Sequence, residues 1–124
     1  MDGTLMEEDL SYRIRGCVFE VYRQLGAGFL EKVYERALLL ELGSAGLRAE
    51  AQVPLSVQYK GYQVGHFAAD VVVEDKVLLE LKAVSALRPE HQAQVLNYLK
   101  ASGLRLGFLV NFAPPKARIQ RVIL

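Results

Sequence analysis

The sequence predicts an α/β domain in which a mixed central β-sheet is flanked by α-helices. Three observations carry this: apolar residues recur at helical spacing before Gly46, the period changes to two-residue alternation after it, and one more helical segment separates two apolar strands near the C-terminus. A chain of 124 residues is long enough for one core and too short for two, so a single domain over residues 1–124 is expected.

Leu10, Ile14, Cys17, Val18, Val21 and Leu25 mark an amphipathic helix from about Glu8 to Leu25, with Glu8 and Asp9 suiting the positive end of its dipole. Gly26-Ala27-Gly28 ends it. A second helix is expected from about Phe29 to Gly43 or Gly46. The glycine pair follows a helix rather than a strand, and Glu31 occupies the third glycine position of a dinucleotide loop, which excludes that reading. Glu31 in the first turn is either a favourably placed anion or, with Tyr34 one turn on, part of a site.

Val53, Leu55, Val57 and Tyr59 alternate with mostly polar residues, and Lys60-Gly61 turns the chain into Tyr62-Gln63-Val64. A second hairpin pairs the runs Phe67 to Val73 and Val77 to Val84 across Glu74-Asp75-Lys76. Pro89 at a first helical position and Gly103 at a C-terminal cap bound a third helix. Leu106 to Phe112 reads as an apolar strand, Pro114-Pro115 as a stiff turn, and Arg118 to Ile123 as a last alternating strand.

Composition narrows the function classes. Fifteen basic and 14 acidic residues leave a net charge of +1, so nothing demands a polyanionic partner, although a local basic groove from Lys60, Arg88, Lys100, Arg105 and Lys116 is compatible. The single cysteine, Cys17, excludes an internal disulfide and a multi-cysteine metal site, and its place on an apolar stripe marks a core thiol. The polar, acidic stretch Met1 to Asp9 is no secretory leader and no run is long enough to span a bilayer, so a cytoplasmic location without membrane association is expected.

The chemistry concentrates in the second hairpin. If Glu74-Asp75-Lys76 is the whole loop, Val73 faces Val77 and Asp70 lies opposite Glu80. Asp70, Val72, Leu78, Glu80, Lys82 and Val84 then share one face, while Ala69, Val71, Val73, Val77, Leu79, Leu81 and Ala83 share the other. Opposed carboxylates repel and call for a cation, either the neighbouring lysine or a metal. A solvated face with one salt bridge is the plain alternative, but Val72, Leu78 and Val84 point to a partly covered patch. Two hard oxygen ligands beside an ammonium suit Mg²⁺-assisted phosphodiester hydrolysis. On the third helix, His91, Gln94 and Tyr98 line one face; Gln94 suits holding a water or phosphate oxygen, and His91 reads as a surface or cap residue.

Gly28-Phe-Leu-Glu31-Lys-Val-Tyr34 resembles the signature of the small bacterial GxxExxY proteins, and Asp70 followed by Glu80-Leu81-Lys82 resembles the PD-(D/E)XK nuclease motif. Gln94 to Lys100 and Leu109-Val-Asn111-Phe are similar to the family as well. Ala69 stands where the motif's proline would be, a position often substituted in that superfamily. The resemblance implies a restriction-endonuclease-like core and a nuclease acting on DNA or RNA with Mg²⁺ or Mn²⁺. By position it implies that Asp70, Glu80 and the Leu81 carbonyl ligate the ion, that Glu31 is a further ligand or orients a metal-bound water, and that Lys82 positions or activates water and stabilises developing charge. It implies further that Gln94 holds the nucleophile or a phosphate, supported by Tyr98, with Asn111 as another substrate contact. Two other readings keep the fold without hydrolysis: a module that binds nucleic acid or protein, and a helper subunit acting as a homodimer or beside a partner chain.

Overall fold

The computed structural model describes residues 7–124. Residues 1–6, part of the acidic opening read as lacking a leader, lie outside them. The described elements are α1 (Glu8–Leu25), α2 (Glu31–Ser44), β1 (Ala49–Tyr59), β2 (Tyr62–Val73), β3 (Val77–Lys82), α3 (Pro89–Ser102), β4 (Leu106–Asn111) and β5 (Arg118–Ile123). No described helix is long and apolar enough to cross a membrane.

The strands form one sheet in the order β1-β2-β3-β4-β5. The β3–β4 pair, connected through α3, is parallel, and every other neighbouring pair is antiparallel. The fold class is therefore the expected one, a mixed sheet flanked by helices. The two predicted hairpins share a strand, because β2 runs unbroken from Tyr62 to Val73. Lys60 and Gly61 both take positive φ, 50° and 85°, as a tight two-residue turn requires. Val73 pairs with Val77 across the Glu74-Asp75-Lys76 loop, as anticipated.

Both faces of the central strands are covered. α1 and α2 pack Ile14, Val18, Tyr34, Leu38 and Leu42 against Val71, Leu79, Leu81, Phe108 and Val110. α3 packs Val95, Tyr98 and Leu99 against Val72, Leu78 and Leu109 on the other side. Two-sided burial explains why β3 and β4 read as nearly continuous apolar runs. Each fully buried leucine or valine contributes about 1.5–3 kcal/mol. α3 approaches closely because Gly107 lacks a side chain: a Cβ there would lie 2.9 Å from Val95 Cγ1 and 3.2 Å from the Leu78 carbonyl oxygen.

One face assignment changes. Ala69 packs with the α3-side cluster, whereas Val71 and Val73 pack under α1 and α2. The β1–β2 ladder skips the Gln52/Asp70 pair, and Gln52 has φ 53°. The strand pair twists at that step, so odd-numbered side chains pass from one face to the other. Cys17 is buried, as expected, and burial pushes its thiol pKa up.

Candidate active site

β2 and β3 pair at Val73↔Val77, Val72↔Leu78 and Val71↔Leu79, and there the ladder stops. The next rung would be Asp70 and Glu80, as the register predicts, but their side chains have replaced the backbone bonds. The Leu81 N–H donates to Asp70 Oδ2 at 2.8 Å, and the Asp70 N–H donates to Glu80 Oε1 at 3.1 Å. Because these N–H groups lie in the plane of the sheet, both carboxylates are turned into the gap between the strands. This refines the expectation that they project from one face side by side. The Lys82 carbonyl accepts from Phe112 N–H on the β4 side, so alternation leaves the Leu81 carbonyl on the β2 side, facing the same gap.

The fork is electrostatically tense. Burial, and then the charge of Asp70, push the Glu80 carboxyl up to about 8. Burial also raises Asp70, a rise that the Leu81 N–H opposes and the Glu35 charge reinforces. Lys82 draws both groups down without forming an ion pair with any described residue. A carboxylate in this setting holds its proton at neutral pH unless a cation arrives.

Two residues that the sequence did not single out complete the fork. Glu35, on α2 one turn beyond Glu31, is only 6% exposed and is bridged by Gln52 Nε2 at 2.6 Å and by Lys32 Nζ at 2.9 Å. The Gln52 amide also reaches Asp70 Oδ1 at 3.4 Å. A buried glutamate on an otherwise apolar helix face was the available signal, but it becomes informative only once Gln52 is seen beside it.

The other candidates sort differently. Glu31 is exposed and makes no hydrogen bond with a described residue; it reaches the pair as a charge that raises Glu80. Among the described residues no group of three or more His, Cys, Asp or Glu side chains that could hold a metal ion is found. Tyr34 is buried: its hydroxyl donates to Gly26 O at 2.6 Å and accepts from Phe29 N–H, and its ring stacks on Phe112. It shapes the glycine turn and does not project into a site. Gln94 Nε2 donates to the Tyr98 hydroxyl at 3.0 Å; burial, and then the Glu80 and Asp70 charges, raise the Tyr98 pKa.

Asn111 has a structural role in the chain beyond β3. Its amide donates to Val84 O at 2.9 Å and accepts Val84 N–H at 3.0 Å, so both ends are committed to the chain beyond β3. His91 Nδ1 accepts the Arg88 N–H at the start of α3, the capping role anticipated for it.

A family model described as the PD-(D/E)XK nuclease superfamily matches residues 8–122, spanning this fork and all the elements around it. The chain belongs to the PD-(D/E)XK nuclease superfamily. Among solved structures it is similar to a protein designated SSO0001, with TM-score 0.58 and 17% identity over 74% of this chain and 48% of that one. It is also similar to an alkaline exonuclease from Laribacter hongkongensis, with TM-score 0.55 and 14% identity over 91% of this chain and 70% of that one. The chain thus spans about half the length of the first and most of the second, and at these identities the likeness is one of fold. No curated protein matches the sequence.

PD-(D/E)XK nucleases generally use divalent metals. The donor set here fits such an ion. Mg²⁺ takes hard oxygen ligands, is commonly held by one or two carboxylates and keeps several waters. Asp70, Glu80 and the Leu81 carbonyl are donors of that kind facing one gap, and the burial and the Asp70 charge that lift Glu80 are what a cation would offset.

Proposed function

We propose that this chain, as one nuclease-like domain, hydrolyses phosphodiester bonds in DNA or RNA with the help of Mg²⁺ or Mn²⁺. The observation that carries the reading is the open end of the β2–β3 ladder, where Asp70 and Glu80 enter the gap beside Lys82. Gly28-Phe-Leu-Glu31-Lys-Val-Tyr34 supports placing it among the GxxExxY proteins, since Gly28 takes φ 108° and Tyr34 ties the turn through Gly26.

Asp70, Glu80 and the Leu81 carbonyl would hold the ion, which when bound supplies charge stabilisation at the phosphate and a more acidic water. The Lys82 ammonium, which forms no ion pair with a described residue, offsets negative charge developing on the phosphate oxygens and orients the attacking water. Gln94 spends one amide N–H on Tyr98, which leaves its carbonyl oxygen to accept a hydrogen bond from that water. Gln52 and Glu35 hold Asp70 in place. Glu31 adds negative charge at the rim and helps keep the site selective for a cation.

The test combines calorimetric titration of Mg²⁺ and Mn²⁺ with cleavage assays on labelled single-stranded and duplex DNA and RNA. Cleavage that needs the metal, stops in EDTA and is lost in Lys82→Ala is the expected result. Metal binding with no cleavage of any substrate would point to a binding module, and absence of both would sink the reading.

A further inference from the structure

Past the last β2–β3 rung the β1–β2 ladder continues alone to Tyr59↔Tyr62, so a two-stranded arm extends beyond the fork. Alternation along β1 puts Leu55, Val57 and Tyr59 on the arm face that continues the α3-side core, and beyond a register shift at Val57/Gln58 Tyr62 pairs with Tyr59 and shares its face. Along β1 their exposure climbs from 6% at Leu55 to 39% at Val57 and 60% at Tyr59, with Tyr62 at 74%. α3 covers the root of the stripe and leaves its tip bare. Bare aromatic residues on a projecting arm are not needed for the core.

The stripe is continuous with the candidate active site. The Phe67 ring lies 5.5 Å from the Tyr98 ring and folds over Gly65, where an added Cβ would meet it at 3.2 Å. Tyr98 in turn bonds to Gln94 and lies within reach of the Glu80 and Asp70 charges. At the tip, Lys60 Nζ stands 5.4 Å from the Tyr59 ring centre. No carboxylate occurs between Glu50 and Asp70, so the arm does not repel an anionic strand.

We propose that this arm is a stacking platform for single-stranded nucleic acid, which leads an unpaired strand toward the fork. The proposal rests on the nuclease reading and adds to it a substrate class. A duplex keeps its base faces buried, and gripping its backbone calls for rows of cations, whereas the arm carries only Lys60 and His66. Exposed tyrosine rings instead match unstacked bases, with Lys60 placed for one phosphate. A second copy adding its own strand along β1 is opposed by Pro54, which has no N–H to offer on that edge strand.

The chain contains no tryptophan, so Tyr62→Trp creates a single reporter on the arm. Oligothymidine and oligouridine of about 16 nucleotides and a duplex of the same length are titrated against this variant in EDTA, where binding is read without cleavage. The proposal expects both single strands to quench the tryptophan and to bind at least about tenfold more tightly than the duplex. It also expects Tyr59→Ala combined with Tyr62→Ala to weaken fluorescein-labelled oligothymidine by about tenfold or more, while Tyr62→Trp retains affinity. Equal affinity for duplex and single strand, binding without quenching, or an alanine variant that changes only sedimentation would overturn it. Because cleavage is not read, an inactive enzyme that still quenches would count against the nuclease reading alone.

Discussion

At the scale of single residues, Lys82 and Asn111 separate chemistry from architecture. Lys82→Ala removes a cation acting on both carboxylates, so cleavage should fall by roughly 10²–10³-fold. The same change should lift the Glu80 pKa further, visible by NMR of the carboxyl carbon. Asn111→Ala should behave otherwise. It strips Val84 of both amide partners in a setting that is only 2% exposed at Asn111, a loss of about 1–3 kcal/mol of stability. Urea denaturation measures it; a raised KM with unchanged stability would instead return Asn111 to substrate contact. Glu80→Gln keeps an oxygen for the Asp70 N–H and removes the buried charge, so it should abolish cleavage while stabilising the metal-free protein near pH 8.

At the scale of elements, the closeness of α3 to the sheet controls where Gln94 and Tyr98 stand. Gly107 permits that closeness, and the atoms that a side chain would meet are a packed valine and a strand carbonyl, neither free to withdraw. Gly107→Val should therefore cost about 1–3 kcal/mol. It should also shift the aromatic resonances of Tyr98 and Phe67, whose rings are in contact. A fully stable variant with an unmoved Tyr98 would contradict this account of α3. On the opposite face, α2 brings Glu35 to Gln52, and so the helix that carries the glycine-rich turn also braces Asp70.

For the molecule as a whole, the fork couples stability to pH and to cations. Glu80 titrates near 4.5 when unfolded and at about 8 when folded, so between those values the native state holds a proton that the unfolded chain has released. The unfolded state then binds fewer protons, and stability falls as pH rises through this window, by an amount on the order of a few kcal/mol. The raised Asp70 acts in the same direction. Thermal melts in EDTA across the window should show the decline, and Glu80→Gln should flatten it. Added Mg²⁺ or Mn²⁺ should reverse it, by about 2.7 kcal/mol at a free concentration of 100 times Kd. Calorimetry in buffers of different ionisation heat should show a proton released per ion bound below about pH 8. A pH-independent melting temperature would contradict this description of the fork.

The sequence by itself determined the order of helices and strands and the β2–β3 register that places Asp70 beside Glu80. These are local properties: helical and two-residue periods, a proline and a glycine bounding α3, and a three-residue loop whose length sets which residues face each other. Only the tertiary structure decided that the ladder breaks at this pair and turns both carboxylates into the gap. It also decided that Ala69 lies on the α3 side, that Gln52 links Glu35 to Asp70, and that the Asn111 amide bonds to Val84. Each of those outcomes depends on where backbone N–H groups and side chains from distant segments find partners. Alternation along one strand carries no record of that choice, because a carboxylate reads the same in sequence whether it faces water, a neighbouring backbone or a metal.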